Sequence, residues 1–70
     1  MRVTTHGIEV KDGKKYVVCA VDNGGGVFRL PLPEGDIGKK IELYTTDPEA
    51  TVNLEIDEET MKVVSWGAVK

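Results

Sequence analysis

His6 is the only imidazole in the chain and Cys19 the only thiol. A cysteine and a histidine can serve as nucleophile and base when both converge with an orienting third group within hydrogen-bond distance. No spacing identifies that third group, and both residues fall in strand-like contexts. His6 therefore reads as a surface or rim residue. Cys19, inside the apolar run Tyr-Val-Val-Cys-Ala-Val, reads as a small buried hydrophobe. One cysteine excludes an internal disulfide, and no second thiol is present for a zinc knuckle or a redox pair.

Two other segments resemble ligand loops only superficially. Gly24, Gly25 and Gly26 offer closely spaced backbone N–H groups, the raw material of an anion nest. They match neither G-x-G-x-x-G nor G-x-x-x-x-G-K-[ST], and no helix is expected directly after them, so they read as a long turn. Asp57, Glu58 and Glu59 are three carboxylates in a row, without the twelve-residue spacing and central glycine of a calcium loop. They read as a solvated hairpin loop. No catalytic residue, metal site or cofactor is expected, and the chain reads as non-enzymatic.

Binding surfaces are the stronger expectation. Phe28, Arg29, Tyr44 and Trp66, with lysines clustered at Lys11, Lys14 and Lys15 and at Lys39 and Lys40, supply the side-chain types that bind single-stranded nucleic acid. On that reading Lys14, Lys15, Arg29, Lys39 and Lys40 contact phosphates. Against it stand nine basic and twelve acidic residues, a formal charge of -3, which creates no general attraction for a polyanion. The acids concentrate between Asp47 and Glu59, a stretch with no base. Protein interaction or assembly is the leading expectation. The last run, Val-Val-Ser-Trp-Gly-Ala-Val, is more apolar than a solvated strand edge requires, and such an edge can pair with a partner strand or a second copy. The expected contact set is Phe28, Arg29, Tyr44, Val64 and Trp66, an aromatic rim beside a free edge, with a protein partner or homo-oligomer bound there.

These side chains must be positioned by short strands. Ile8 and Val10 alternate with polar residues before Lys-Asp-Gly-Lys, and Tyr16 to Val21 is rich in β-branched residues, which together predict a hairpin. A two-residue Asp12-Gly13 turn sets Ile8 against Val17. A three-residue loop, Lys11 to Gly13, sets Ile8 against Tyr16 and is the register expected here. The second strand, apolar on both faces, is expected to be covered on both. A third strand runs from Val27 to Leu32, with Pro31 and Pro33 confining its end to an edge or rim. Ile37 is expected to drop into the core, and Lys40 to Thr46 to form a fourth strand through the alternation of Ile41, Leu43 and Thr45. Val52, Leu54 and Ile56 alternate with polar residues in the clearest strand pattern of the chain. Across a four-residue loop, Asp57 to Thr60, their buried row continues through Met61 and Val63, leaving Val64, Trp66 and Ala68 on the opposite face. No helix beyond single turns at Pro33 to Ile37 and Pro48 to Ala50 is expected.

Seventy residues make one small domain, 1–70, which hides only about 60% of the surface of its unfolded chain. The fold class expected is all-β: a small antiparallel barrel or compact sandwich of five or six strands. An SH3-like barrel is preferred to an OB-like one, which wants a helix between strands. No window approaches the roughly 20 apolar residues that span a bilayer, and the start lacks a signal-peptide apolar stretch, so a cytoplasmic protein with no membrane partner is expected.

Overall fold

The computed structural model describes residues 1–69. Five strands and one helix follow one another as β1 (Arg2–Lys11), β2 (Lys14–Val21), β3 (Val27–Pro31), α1 (Gly35–Thr45), β4 (Thr51–Asp57) and β5 (Lys62–Val69). The predominantly β character holds, but the barrel and the sandwich do not. All five strands belong to one antiparallel sheet in the order β3-β2-β1-β4-β5, and β3 and β5 each pair with a single neighbour. The sheet is open, neither SH3-like nor closed in any other way. The helix between the third and fourth strands, whose lack argued against an OB-like arrangement, is present, yet it lies on an open sheet.

Turn chemistry sets the first register. Asp12 (φ 53°) and Gly13 (φ 77°) both occupy the left-handed region, as a two-residue hairpin turn with the right-handed strand twist requires. Lys11 then faces Lys14 and Ile8 faces Val17, so the three-residue loop with Ile8 opposite Tyr16 is corrected. β2 is an interior strand of the sheet but covered on one face only. Val17 and Cys19 are fully buried, whereas Tyr16, Val18 and Ala20 on the other face are half-buried.

The segment expected to be a fourth strand is helical. Ile41 is fully buried, Tyr44 and Thr45 are half-buried, and Leu43, which strand alternation would bury beside Ile41, is 65% exposed. That periodicity, one face at Gly38, Ile41 and Tyr44/Thr45, is helical. Gly38 permits the docking: a Cβ there would collide with the Pro33 carbonyl, so the linker from β3 lies directly against the first helical turn. Asp36 in that turn complements the helix dipole. At the other end the Thr46 N–H and hydroxyl both donate to the Glu42 carbonyl, and Pro48 follows.

Helix α1 packs across β1 and β4. Beneath it Val3, Val17, Cys19, Leu30, Val52, Leu54 and Ile56 join Ile41 in the core, and no polar side chain among the described residues is buried. Two β-bulges keep apolar residues on this face. In β1 the extra residue is His6: Thr5 pairs with Cys19 and Gly7 with Val18, so Val3 and Ile8 share a face despite their odd and even numbers. In β5 it is Val64: Ser65 faces Glu55 while Val63 faces Ile56. Val63, Trp66 and Ala68 therefore all lie against the core, which corrects the assignment of Trp66 and Ala68 to the opposite face with Val64. Ile37, expected in the core, stands 38% exposed at the start of α1.

Candidate interaction surface

The chemistry-capable residues separate when placed on this frame. Cys19 is fully buried, its Sγ donating to the Val17 carbonyl at 3.6 Å, and burial pushes its thiol up to about 11. A thiol that stays protonated and shielded is a poor nucleophile. His6 is exposed at the β1 bulge. In the glycine run the Gly24 N–H donates to the Val21 carbonyl, while the Gly26 carbonyl takes the Val21 N–H. Asp57 Oδ1 accepts the Glu59 N–H at 2.9 Å, closing the β4–β5 hairpin. Among the described residues no group of three or more His, Cys, Asp or Glu is placed to hold a metal ion.

The aromatic rim does not assemble. Phe28 packs half-buried against the core from β3, and Tyr44 of α1 meets Trp66 of β5 with ring centroids 6.0 Å apart and planes tilted by 39°. These three rings are packing mass on the helix-covered face. The basic set is also divided. Lys39 and Lys40 ride on the exposed surface of α1, and Lys15 reaches the same layer, its Nζ 2.8 Å from Glu42 Oε2. Lys14 follows the β1–β2 turn. Arg29 lies on the open face, where its Nε and Nη2 donate to the two carboxylate oxygens of Glu9 at 2.8 and 2.9 Å. That fork holds the Glu9 carboxyl below its ordinary range and the guanidinium above its own. Lys15, Arg29, Lys39 and Lys40 thus share no single surface.

Val64 is the apolar contact residue that remains exposed, at 69%. It sits on the edge strand β5, eight residues long, without proline and with Lys62 as its only charge. The opposite edge, β3, is five residues long, carries Arg29 and ends at Pro31, so it is short, charged and deprived of a donor. Of these protections β5 has a single charge, Lys62 at its first residue, besides its bulge.

A hollow of about 320 Å³ lies along β5 itself, lined by Arg2, Asn53, Glu55 and residues Ser65 to Val69, and two more accompany the edges. One, of about 460 Å³, lies on the open face between Glu9, Lys11, Tyr16 and Arg29. The other, of about 570 Å³, separates the β3–α1 linker from the start of β5. Sequence reasoning missed this last one. By sequence its wall residue Ile37 reads as core, and Met61, 42% exposed at φ 57°, reads as part of the buried row of a strand. A side chain at the left-handed end of a hairpin loop leaves no mark in hydrophobic alternation. No family model matches this chain, and no significant match to it was found among curated proteins or solved structures.

Proposed function

We propose that this protein is a non-enzymatic interaction module that binds an extended segment of a protein partner along the outer edge of β5. The observation carrying this reading is that edge itself: eight residues with one open side, no proline, one charge, and Val64 and Val69 each 69% exposed. An added strand gains main-chain hydrogen bonds from the unpaired groups and apolar contact from Val64 and Val69. The expected contribution of Phe28, Tyr44 and Trp66 is indirect: they stiffen the sheet behind the edge. Arg29, tied to Glu9 on the far side of the sheet order, takes no part.

Linear peptides selected against the immobilised protein test this reading. Binders should shift the amide resonances of residues 64–69 and lose affinity for the Val64→Lys variant, which keeps its fold because the side chain is exposed. Selected peptides that perturb other residues, or bind Val64→Lys undiminished, refute it. A second reading, single-stranded nucleic acid on the open face, draws on Tyr16 flanked by Lys11 and Arg29 around the 460 Å³ hollow. It ranks lower because Glu9 already neutralises Arg29. Salt-sensitive shifts of Lys11, Tyr16 and Arg29 with short oligonucleotides would reverse the order.

A further inference from the structure

The cleft between the β3–α1 linker and the start of β5 has two unlike walls. Leu32, Pro33 and Ile37 form one, with Glu34 at its rim, and Met61 and Lys62 belong to the other. The apolar part is accessible, Ile37 at 38% and Met61 at 42%. The two charges are unspent among the described residues. Glu34 is the N-cap of α1, yet its carboxylate makes no capping hydrogen bond, and neither Glu34 nor Lys62 joins an ion pair among the described residues. Asp57 faces Lys62 across the ladder but accepts the Glu59 N–H.

We propose that the occupant of this cleft is a second copy of the chain, docked about a two-fold axis. A two-fold contact uses the same patch on both subunits, so every pairing of residue i with j is repeated as j with i. An apolar strip with one free acid on one wall and one free base on the other meets that condition. Lys62 of each copy meets Glu34 of the other, and Met61 of each enters the cleft beside the other's Ile37. A patch of one sign would repel its own copy. The unbranched thioether of Met61 suits the central place, because it adapts to an irregular slot. The net charge of -3 works against association in general, so the attraction is local. The contact uses the start of β5 and leaves residues 64–69 open, so it stands independently of the edge proposed above.

Sedimentation velocity of the full chain across micromolar to millimolar concentrations tests the dimer. The wild type should dimerise reversibly. Lys62→Glu and Glu34→Lys should each weaken the dimer by about tenfold or more, since each reversal replaces two attractive rim contacts with two repulsive ones. The double reversal should restore it to about the original constant, as only direct pairing between the two positions predicts. Ile37→Ser, which leaves the charges alone, should also weaken it. A wild type that stays monomeric overturns the proposal, as does a double reversal that fails to recover, or a dimer dissolved by Val64→Lys and indifferent to Lys62→Glu. The last result would place the contact on the β5 edge, while loss of peptide binding with an intact charge-sensitive dimer would remove only the edge reading.

Discussion

The two faces of the sheet are built from alternate residues of the same strands, and they hold together by different physics. The face under α1 is apolar: Val3, Val17, Cys19, Leu30, Val52, Leu54 and Ile56 are all at most 3% exposed. The open face is a lattice of polar contacts. Asn53 Nδ2 donates to Thr4 Oγ1 at 3.0 Å, Thr4 Oγ1 donates to Asp22 Oδ1 at 2.7 Å, Arg2 approaches Asp22 at 3.4 Å, and Arg29 grips Glu9. Apolar burial stabilises at roughly 25 cal/mol per Å² removed from water, whereas exposed ion pairs contribute little. The covered face therefore sets whether the chain folds. The open face is free to vary, and the two proposed recognition surfaces fall where the covered layer runs out, at the β5 edge and the cleft beside α1.

Removing Ile41 should show the largest effect of this asymmetry. It is the one helix side chain with no exposure, and truncating such a residue costs about 2–5 kcal/mol. Small domains have total stabilities of about 5 kcal/mol upward, so Ile41→Ala should lower the urea midpoint severely or leave the chain unfolded. A change under about 1 kcal/mol would mean that α1 is not what closes the covered face.

The second prediction sharpens the comparison through titration. Burial on the covered face raises the Cys19 thiol from 9.0 to about 11, so the folded state holds this proton more tightly than the unfolded one. The sign follows: the stabilisation is complete below pH 9.0 and is lost as pH rises toward about 11. Urea midpoints between pH 8 and 11 should fall in the wild type and fall less steeply in Cys19→Ala. Identical slopes would show that the thiol ionises as freely folded as unfolded.

The sequence is legible where side-chain period and backbone geometry agree. Val52, Leu54 and Ile56 alternate without interruption, and all three are buried as their spacing demands. Where an extra residue enters a strand the period breaks, and the side of the sheet cannot be read from parity. Val63 and Val64 continue the alternation by parity, but the bulge at Val64, between Val63 and Ser65, carries Trp66 to the other face. The helix escaped for a related reason: Ile41, Leu43 and Thr45 alternate as in a strand, and the competing signal, Ile41 with Tyr44 and Thr45 three and four residues on, is no longer than one turn. Gly38 was the remaining clue. Its need arises from contact with Pro33, which exists only once the linker has folded back. Of the five expected protein-contact residues, Val64 alone is exposed and uncommitted, because aromatic type does not distinguish a ring that packs from one that binds.

Glu9 is the counterpart of Cys19 on the open face and should give the smallest effect. Its carboxyl is lowered chiefly by the hydrogen bond from Arg29, opposed next by desolvation, with smaller lowering contributions from the Arg29 and Lys11 charges. A lowered carboxyl stabilises the folded state above its unfolded value, here 4.5, and that contribution disappears as pH falls through the folded value. The acid window is the reverse of the alkaline one at Cys19, and the leading causes differ: a hydrogen-bonded cationic partner on one face, loss of water on the other. Side-chain carboxyl chemical shifts followed from pH 7 to 2 should place Glu9 below the ordinary range, and Arg29→Ala should return it there with scarcely any change in the neutral-pH unfolding midpoint. Added salt should do the same in part, because this pair is exposed and screened, while leaving Cys19 where it is. If salt moved both groups alike, the open face would owe its contacts to burial and the two faces would not differ in kind.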